Sequence, residues 1–131
     1  MTEYRRVDAR RTWAPVIGYS RAVRLGEVVE VSGTSATSPD GRAMHPGDAY
    51  EQTKYILEEV LRALAELGGA PADVVRTRAY LTDIGDWQAV GRAHGEVFAD
   101  IRPACSFVEI SRLMLPELVV ELEMTAIVRS A

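Results

Sequence analysis

The spacing of apolar and polar residues along the chain predicts two helices. Apolar residues three and four apart recur over residues 49–67 and indicate a long amphipathic helix. Asp48 precedes it as an N-cap, and Gly68 with Gly69 follows it where a C-cap is expected. A second helical pattern covers residues 86–99, and Pro103 prevents its continuation because proline lacks the backbone N–H.

Alternating apolar and polar residues predict six strands around these helices. The predicted strands are residues 3–9, 21–25, 28–32, 74–82, 106–110 and 118–128. The second and third form a hairpin around Gly26, whereas residues 34–47 are rich in Ser, Thr, Pro and Gly and predict a loop. In the fourth strand we expect one buried face, formed by Val75, Thr77, Ala79 and Leu81. The predicted order is β-β-β-α-β-α-β-β.

The last predicted strand has two faces of different chemistry. Leu122 and Met124 share one face, and Glu121 and Glu123 share the other. Two helices on one face of a mixed sheet leave the opposite face open. The pattern therefore predicts an α+β fold in which the open sheet face is covered by other subunits.

The composition is typical of one globular domain spanning residues 1–131. The chain has 131 residues, of which 47% are apolar and 26% are charged. Its formal net charge of −4 argues against nucleic-acid binding, which needs a basic surface. Four arginines near the N-terminus have acidic residues among them and predict a solvated strand face. They are Arg5, Arg6, Arg10 and Arg11.

Several sequence features favour a cytoplasmic protein without a cofactor. The single cysteine, Cys105, cannot form an intrachain disulfide. No apolar signal-peptide core follows the N-terminus, and no run of about 18 apolar residues could span a membrane. His45 and His94 are the only histidines and predict no metal site. His94 lies on the apolar face of the second helix, where a packed and hydrogen-bonded histidine is expected.

The C-terminal part of the chain carries a recognisable motif. Residues 103–113 read Pro-Ala-Cys-Ser-Phe-Val-Glu-Ile-Ser-Arg-Leu, and residues 119–126 read Val-Val-Glu-Leu-Glu-Met-Thr-Ala. These stretches resemble the signature of the Rid family, also called the YjgF or L-PSP endoribonuclease family. Further landmarks of that family follow the expected order along nearly the whole chain. They are residues 14–23, 31–33, 73–75 and 80–83.

The resemblance implies a fold and an assembly. Members of the family have a chorismate-mutase-like, or YjgF-like, α+β protomer with a mixed sheet and two helices on one of its faces. Three protomers pack their sheets into a central trimeric barrel with the helices outside. Pockets for a small-molecule substrate or ligand then lie at the subunit interfaces of the homotrimer, and no cofactor is needed.

The resemblance also implies a reaction and its residues. The family's deaminases hydrolyse imines and enamines, such as 2-iminopropanoate, to a keto acid and ammonia. By the same resemblance Glu123 positions or activates the water, and Tyr19 closes over the ligand. Ser32 and Gly33 line the site. From the residues alone, Glu123 could instead be satisfied by backbone donors at a subunit interface, and Tyr19 could simply pack.

Three positions depart from the family pattern. Cys105 replaces the arginine that grips the substrate carboxylate, Gly91 replaces an asparagine, and Phe107 stands where a small or sulfur-bearing residue is common. We expect all three to line the substrate pocket and to make it more apolar. Losing a bidentate charged pair costs about 2–4 kcal/mol of recognition, or roughly 30-fold to 1000-fold. Poor activity on small imino acids is therefore expected.

Alternatives remain open at this point. Cys105 is a nucleophile, a substrate contact or an inert small hydrophobe. The chain itself is an imine or enamine hydrolase, a non-catalytic trimer that binds a small metabolite, or a ribonuclease. The acidic balance makes the ribonuclease the weakest of the three.

Overall fold

The computed structural model describes residues 3–129, which form a six-stranded mixed sheet with two long helices. The strands are β1 (Tyr4–Val7), β2 (Ala22–Leu25), β3 (Val28–Ser35), β4 (Val74–Leu81), β5 (Ala104–Glu109) and β6 (Val120–Ile127). The helices are α1 (Ala14–Ile17), α2 (Ala49–Glu66) and α3 (Trp87–Phe98). Two short 3₁₀ turns, Pro71–Asp73 and Ile84–Asp86, precede β4 and α3. The predicted order of long elements is confirmed.

The sheet has the strand order β1-β2-β3-β6-β4-β5. The pair β4 and β5 is parallel, and every other neighbouring pair of these strands is antiparallel. The last strand of the sequence therefore lies in the middle of the sheet, between β3 and β4. Glu121 and Glu123 of β6 are therefore flanked by β3 on one side and by β4 on the other.

The helices cover one face of the sheet. Along β6 the buried side chains alternate strictly with half-buried ones, as expected for a strand with one covered face. Leu122 and Met124 pack with Ile56 and Leu64 of α2 in the core, whereas Glu121 lies on the opposite, helix-free face. The predicted α+β fold with both long helices on one sheet face is confirmed.

The predicted start of α2 is also confirmed. The side chain of Asp48 accepts a hydrogen bond from the backbone N–H of Glu51 at 3.0 Å, which satisfies a helix donor that has no partner within the helix. Gly68, just beyond the helix, has a φ of +88°. Glycine adopts that left-handed conformation without steric cost.

Two irregularities of the sheet were not predicted. A register shift between Val74 and Arg76 in β4 turns Val75 outward, and its side chain is 45% exposed. Val74 is buried instead, so the prediction that Val75 lies on the buried face was wrong. A second register shift, at residues 32–33, lets β3 continue to Ser35, where the sequence predicted a loop. Each bulge adds one residue to its strand and changes which side chains face the core.

A short helix and a buried arginine were also missed. Helix α1, which contains Pro15 in its first turn, was not predicted. Arg11 was expected on a solvated strand face, yet its side chain is 2% exposed. It pairs with Glu59 of α2, and the two closest nitrogen–oxygen distances are 2.7 and 2.8 Å. It also donates to the backbone oxygens of Ala9 and Thr37, so burial is possible because every donor group has an acceptor.

Each of the two long helices, α2 and α3, has one apolar stripe. Within residues 3–129, no helix has the length and apolar character that a membrane crossing requires. The buried stripe of each long helix is turned toward the sheet or the other helix. It contributes to the core of the protomer.

Candidate functional site

Two of the predicted site residues, Tyr19 and Ser32, line one open cavity of about 890 Å³. We call this the Tyr19 cavity. Its other lining residues come from β1, from α1 and its C-terminal turn, and from β2: Tyr4, Arg6, Asp8, Ala14, Pro15, Gly18, Ser20 and Val23. The residues of β1 and β2 that alternate with them, Val7 and Ala22, are buried in the core. The cavity therefore lies on the sheet face opposite α2 and α3, which we call the helix-free face because only the short helix α1 borders it.

Tyr19 is held at the rim of this cavity by its neighbours. Helix α1 ends at Gly18, whose φ is +87°, and the reversed backbone leads directly into Tyr19. The indole N–H of Trp13 donates to the Tyr19 hydroxyl at 2.9 Å. The guanidinium carbon of Arg21 lies 5.7 Å from the centre of the Tyr19 ring, within cation–π range. These contacts fix the ring while leaving it half-buried.

Ser32 and Gly33 form the bulge of β3. The Ser32 hydroxyl donates to the backbone oxygen of Ser20 at 2.6 Å, which ties the bulge to the segment that carries Tyr19. The guanidinium of Arg21 donates to the backbone oxygen of Gly33 at 3.2 Å. A side-chain Cβ at Gly33 would lie only 2.6 Å from Oε2 of Glu121. Glycine leaves room here for the end of the flexible Glu121 side chain, which a Cβ would displace.

Glu121 is the carboxyl group most perturbed by this arrangement. Burial raises its pKa above the usual value of 4.5, the negative charge of Glu123 raises it further, and the positive charge of Arg21 acts in the opposite direction. A carboxyl group with a raised pKa is a stronger base than an unperturbed carboxylate, which suits it to proton transfer. From the sequence, Glu121 was predicted only to share a strand face with Glu123, and the family resemblance gave the catalytic role to Glu123. No local signal pointed to the raised pKa of Glu121.

Glu123 has a different environment. The Tyr80 hydroxyl donates to its Oε1 at 2.8 Å, and Nη1 of Arg78 lies 3.4 Å from the same oxygen. The hydrogen bond to Glu123 raises the pKa of Tyr80, with burial as the second cause. Glu123 is therefore already engaged by two side chains of β4. Its predicted catalytic role stays a prediction, and Glu121 is the freer of the two carboxylates.

The remaining predicted site residues lie elsewhere in the protomer. Strands β6 and β4 separate β3 from β5, so β5 is roughly 14 Å from the Ser32 bulge at the usual spacing between strands. Cys105 is exposed at this sheet edge. Phe107 packs beneath α3, where a Cβ at Gly91 would be 3.8 Å from its ring. Within one protomer, Cys105, Phe107 and Gly91 do not meet the Tyr19 cavity.

The two histidines also lie apart from the cavity. The ring of His94 shares a hydrogen bond of 2.9 Å with the hydroxyl of Thr77, and burial lowers its pKa. This agrees with the expected packed histidine. The ring of His45 lies near Tyr55, with 6.3 Å between ring centres. In the part of the chain that the structure describes, no group of three or more His, Cys, Asp or Glu side chains could hold a metal ion.

The raised pKa of Glu121 predicts a pH-dependent effect on stability. Ionised Glu121 is disfavoured in the folded state, so it costs stability above its folded pKa, and that cost disappears as pH falls below the unfolded pKa near 4.5. We expect Glu121→Gln to raise the free energy of unfolding at pH 7 and to give a smaller gain toward pH 4. Urea unfolding at both pH values measures this. An equal effect at both would contradict the electrostatic cause.

Comparison with known proteins gives a consistent picture. The family model described as Endoribonuclease L-PSP matches residues 10–128. An uncharacterized protein of Streptomyces coelicolor is 37% identical over 122 residues, which cover 93% of this chain and 90% of the relative. The 3-aminoacrylate deaminase RutC of Acinetobacter baylyi is 31% identical over 112 residues, which cover 86% of this chain and 88% of that enzyme.

Solved structures agree with these sequence matches. A Mycobacterium tuberculosis member of the YjgF/YER057c/UK114 family superposes with a TM-score of 0.87 and 40% identity, covering 96% of this chain and all of that chain. A putative endoribonuclease of Thermotoga maritima gives a TM-score of 0.84 and 29% identity, covering 96% and 98% of the two chains. The similarity therefore extends over nearly the whole fold.

Proposed function

Because the chain belongs to the endoribonuclease L-PSP family, also called the YjgF or Rid family, we propose that it hydrolyses a small reactive imine or enamine. The observation that carries this proposal is Glu121, a half-buried carboxyl group with a raised pKa that lies against Gly33, the neighbour of the cavity-lining residue Ser32. A relative at 31% identity is a 3-aminoacrylate deaminase, which supports the same class of reaction.

The proposed chemistry needs one proton acceptor and one ordered water. Glu121 accepts a proton from the water as its oxygen attacks the imine carbon, and passing that proton to the nitrogen gives a carbinolamine. Glu121 then takes the carbinolamine hydroxyl proton and transfers it to the amino group. The carbon–nitrogen bond breaks, ammonia leaves, and a carbonyl compound remains, so one imine and one water give one carbonyl and one ammonia. General-base catalysis of this kind contributes typically 10²–10⁴-fold.

Tyr19, Ser32 and Glu123 support this chemistry in different ways. Tyr19 covers the ligand at the cavity rim, and Ser32 joins that rim to the bulge. Glu123 keeps a second negative charge close to Glu121 and so contributes to its raised pKa. A raised pKa keeps the Glu121 carboxylate basic enough to take a proton from water.

We also propose that the chain acts as a homotrimer. Cys105, Phe107 and Gly91 lie at the β5 side of the sheet, away from the Tyr19 cavity of the same protomer. A neighbouring protomer that placed its β5 edge against this cavity would unite both groups of predicted site residues. Sedimentation equilibrium is the test, and a stable monomer at assay concentration would contradict the shared site.

The substrate differs from that of the family's usual deaminases. Cys105 offers no positive charge and no bidentate donor at the position where those enzymes hold a substrate carboxylate. The proposed substrate is a reactive imine or enamine that is not gripped at position 105. Phe107, packed under α3, adds apolar surface on that side.

The decisive experiment is a coupled hydrolysis assay. An amino-acid oxidase generates a panel of imines, and semicarbazide traps the imine that survives, so faster hydrolysis reduces semicarbazone formation. We expect the parent protein to accelerate loss of at least one imine. Cys105→Arg is expected to gain activity on small 2-imino acids, because it restores the charged contact that the parent lacks at that position. A parent and a variant that both remain inert would exclude imine hydrolysis.

Cys105 also favours a second candidate, a trimer that binds a small metabolite without turnover. A protein whose pocket has lost one substrate contact can still bind a ligand without catalysing its conversion. This candidate predicts saturable binding of a carbonyl compound by the parent and by Glu121→Gln, with no imine hydrolysis by either. The ribonuclease activity in the family model's description has less support, because a net charge of −4 opposes contact with phosphates.

A substitution at Gly33 tests the position of the Glu121 carboxylate separately from the stability of the fold. In Gly33→Ala the new Cβ would lie 2.6 Å from Oε2 of Glu121, so the flexible carboxylate must move while the backbone stays. We expect kcat/KM for imine hydrolysis to fall about 10-fold to 100-fold, because small displacements of catalytic groups are costly. The melting temperature should change little. A large loss of stability with unchanged activity in the folded fraction would contradict this placement of Glu121.

A further inference from the structure

We propose that Arg6 binds an anionic group of the ligand in the Tyr19 cavity, and that the ligand is an imine or enamine bearing a carboxylate. This inference rests on the proposed function, since it names the substrate class of the same cavity. It assigns to β1 a recognition role that neither the motif at residues 103–113 nor the predicted site residues include.

The pairing of β1 fixes where Arg6 points. Arg6 is the register partner of Val23 in β2, and both residues line the Tyr19 cavity together with Ser32. Val7, the next residue of β1, is buried in the core on the other side of the sheet. Because side chains alternate along a strand, Arg6 belongs to the helix-free face that carries the cavity.

The guanidinium N–H groups of Arg6 have no acceptor among the described residues. Within residues 3–129 its guanidinium makes no hydrogen bond and no ion pair, and it lies over the ring of Tyr4 with 5.4 Å to the ring centre. The neighbouring Arg5 differs, because it donates to the backbone oxygen of Glu66 at 2.9 Å and pairs with Glu3. An arginine resting on an aromatic ring presents a planar set of donors that matches a carboxylate.

The other charges around the cavity are compatible with an anion at Arg6. Asp8 also lines the cavity, but its Oδ1 accepts the backbone N–H of Arg10 at 2.8 Å. Two residues along a strand separate Arg6 from Asp8 by roughly 7 Å. Arg21 lies behind Tyr19 and donates to the bulge. The cavity thus has a free cation at the Tyr4 end and an acid at the α1 end.

If Arg6 binds the substrate carboxylate, the absence of an arginine at position 105 has a different interpretation. Loss of the arginine at position 105 then relocates anion recognition within the site and does not abolish it. Arg6 stands on β1, whereas position 105 belongs to β5, so Arg6 would hold the carboxylate at a different place in the shared site. The distance from the carboxylate to the reacting carbon need not match that of a small 2-imino acid. The substrate class is a carboxylate-bearing imine or enamine with its own spacing.

The test compares charged and neutral imines of matched size in the full-length protein. An amino-acid oxidase supplies carboxylate-bearing imines, and an amine oxidase supplies the counterparts without the carboxylate. The variants are Arg6→Gln, Arg6→Lys and, as the matched control on the same strand, Arg5→Gln. Arg6→Gln is expected to lower kcat/KM for carboxylate imines about 10-fold to 100-fold and to change neutral imines less than about 3-fold. Arg6→Lys should lie between, because it keeps the charge and loses the bidentate geometry.

A binding measurement separates this inference from the proposed reaction. Titration with 2-oxobutanoate and with butan-2-one, followed by NMR chemical shifts, reports anion recognition even if no imine is hydrolysed. Weaker binding of 2-oxobutanoate in Arg6→Gln, with butan-2-one and the Arg5→Gln control unchanged, supports the inference whatever the activity. Equal losses for both ligands, or unchanged 2-oxobutanoate binding in Arg6→Gln, would overturn it.

Discussion

Replacing Glu121 by glutamine is expected to lower kcat/KM for imine hydrolysis by about 10²–10⁴-fold, the usual contribution of a general base. Glutamine keeps the size of the side chain and its place against Gly33, but it cannot accept a proton from water. Because the substitution also removes a buried charge, the folded protein should be retained. Circular dichroism and sedimentation therefore serve as the controls for structure.

Glu123→Gln is the matched comparison for this prediction. Glu123 is engaged by Tyr80 and Arg78, so its loss should reduce activity less than the loss of Glu121. Without the neighbouring charge the pKa of Glu121 falls, and the acid limb of the pH–rate profile should move to lower pH. If Glu123→Gln abolished hydrolysis while Glu121→Gln retained it, the roles proposed for the two carboxylates would be reversed.

Arg11→Met is expected to destabilise the protein by about 3–5 kcal/mol, the usual cost of leaving a buried charge without its partner. Arg11 is 2% and Glu59 is 10% exposed at the side chain, so water cannot replace the lost cation. Arg62, whose Nη2 lies 3.8 Å from Oε1 of Glu59 and whose side chain is 59% exposed, compensates only in part. The oxygens of Ala9 and Thr37 would also lose their donors. For a chain of this size the melting temperature should fall by roughly 10–20 °C.

The control for Arg11 is the double variant Arg11→Met with Glu59→Leu. Removing both charges avoids the uncompensated carboxylate, and apolar replacements of buried ion pairs are often tolerated. The double variant should therefore recover a large part of the lost stability in urea unfolding. A double variant as unstable as the single one would show that backbone hydrogen bonds from Arg11, and not its charge, account for the loss.

The regular part of the fold followed from local pattern. Asp48 and Gly68 bounded α2 correctly, and alternation around Leu122 identified both faces of β6. The bulges were not predictable in this way. A bulge is decided by pairing with β6, and Val75, an apolar residue in an alternating run, gives no local sign that it will be turned outward.

The candidate site could be predicted only in part from the sequence. The family resemblance pointed to Tyr19 and Ser32, which share a cavity, and to the strand that carries both glutamates. It singled out Glu123, whereas the contact with Gly33 and the raised pKa belong to Glu121 and arise from the tertiary structure. Arg6 was interpreted as part of a solvated strand face, because its cavity exists only once α1 and Tyr19 pack over β1.

The sequence by itself determined the period of each helix and strand, the apolar face that each must bury, and the substitution of cysteine at position 105. Those features are local, because side-chain spacing and residue identity do not depend on distant partners. Tertiary structure alone decided the burial of Arg11, the pKa of Glu121 and the union of Arg6 with Tyr19 and Ser32. Burial and electrostatic fields depend on residues far apart in the chain, and 48 positions separate Arg11 from Glu59.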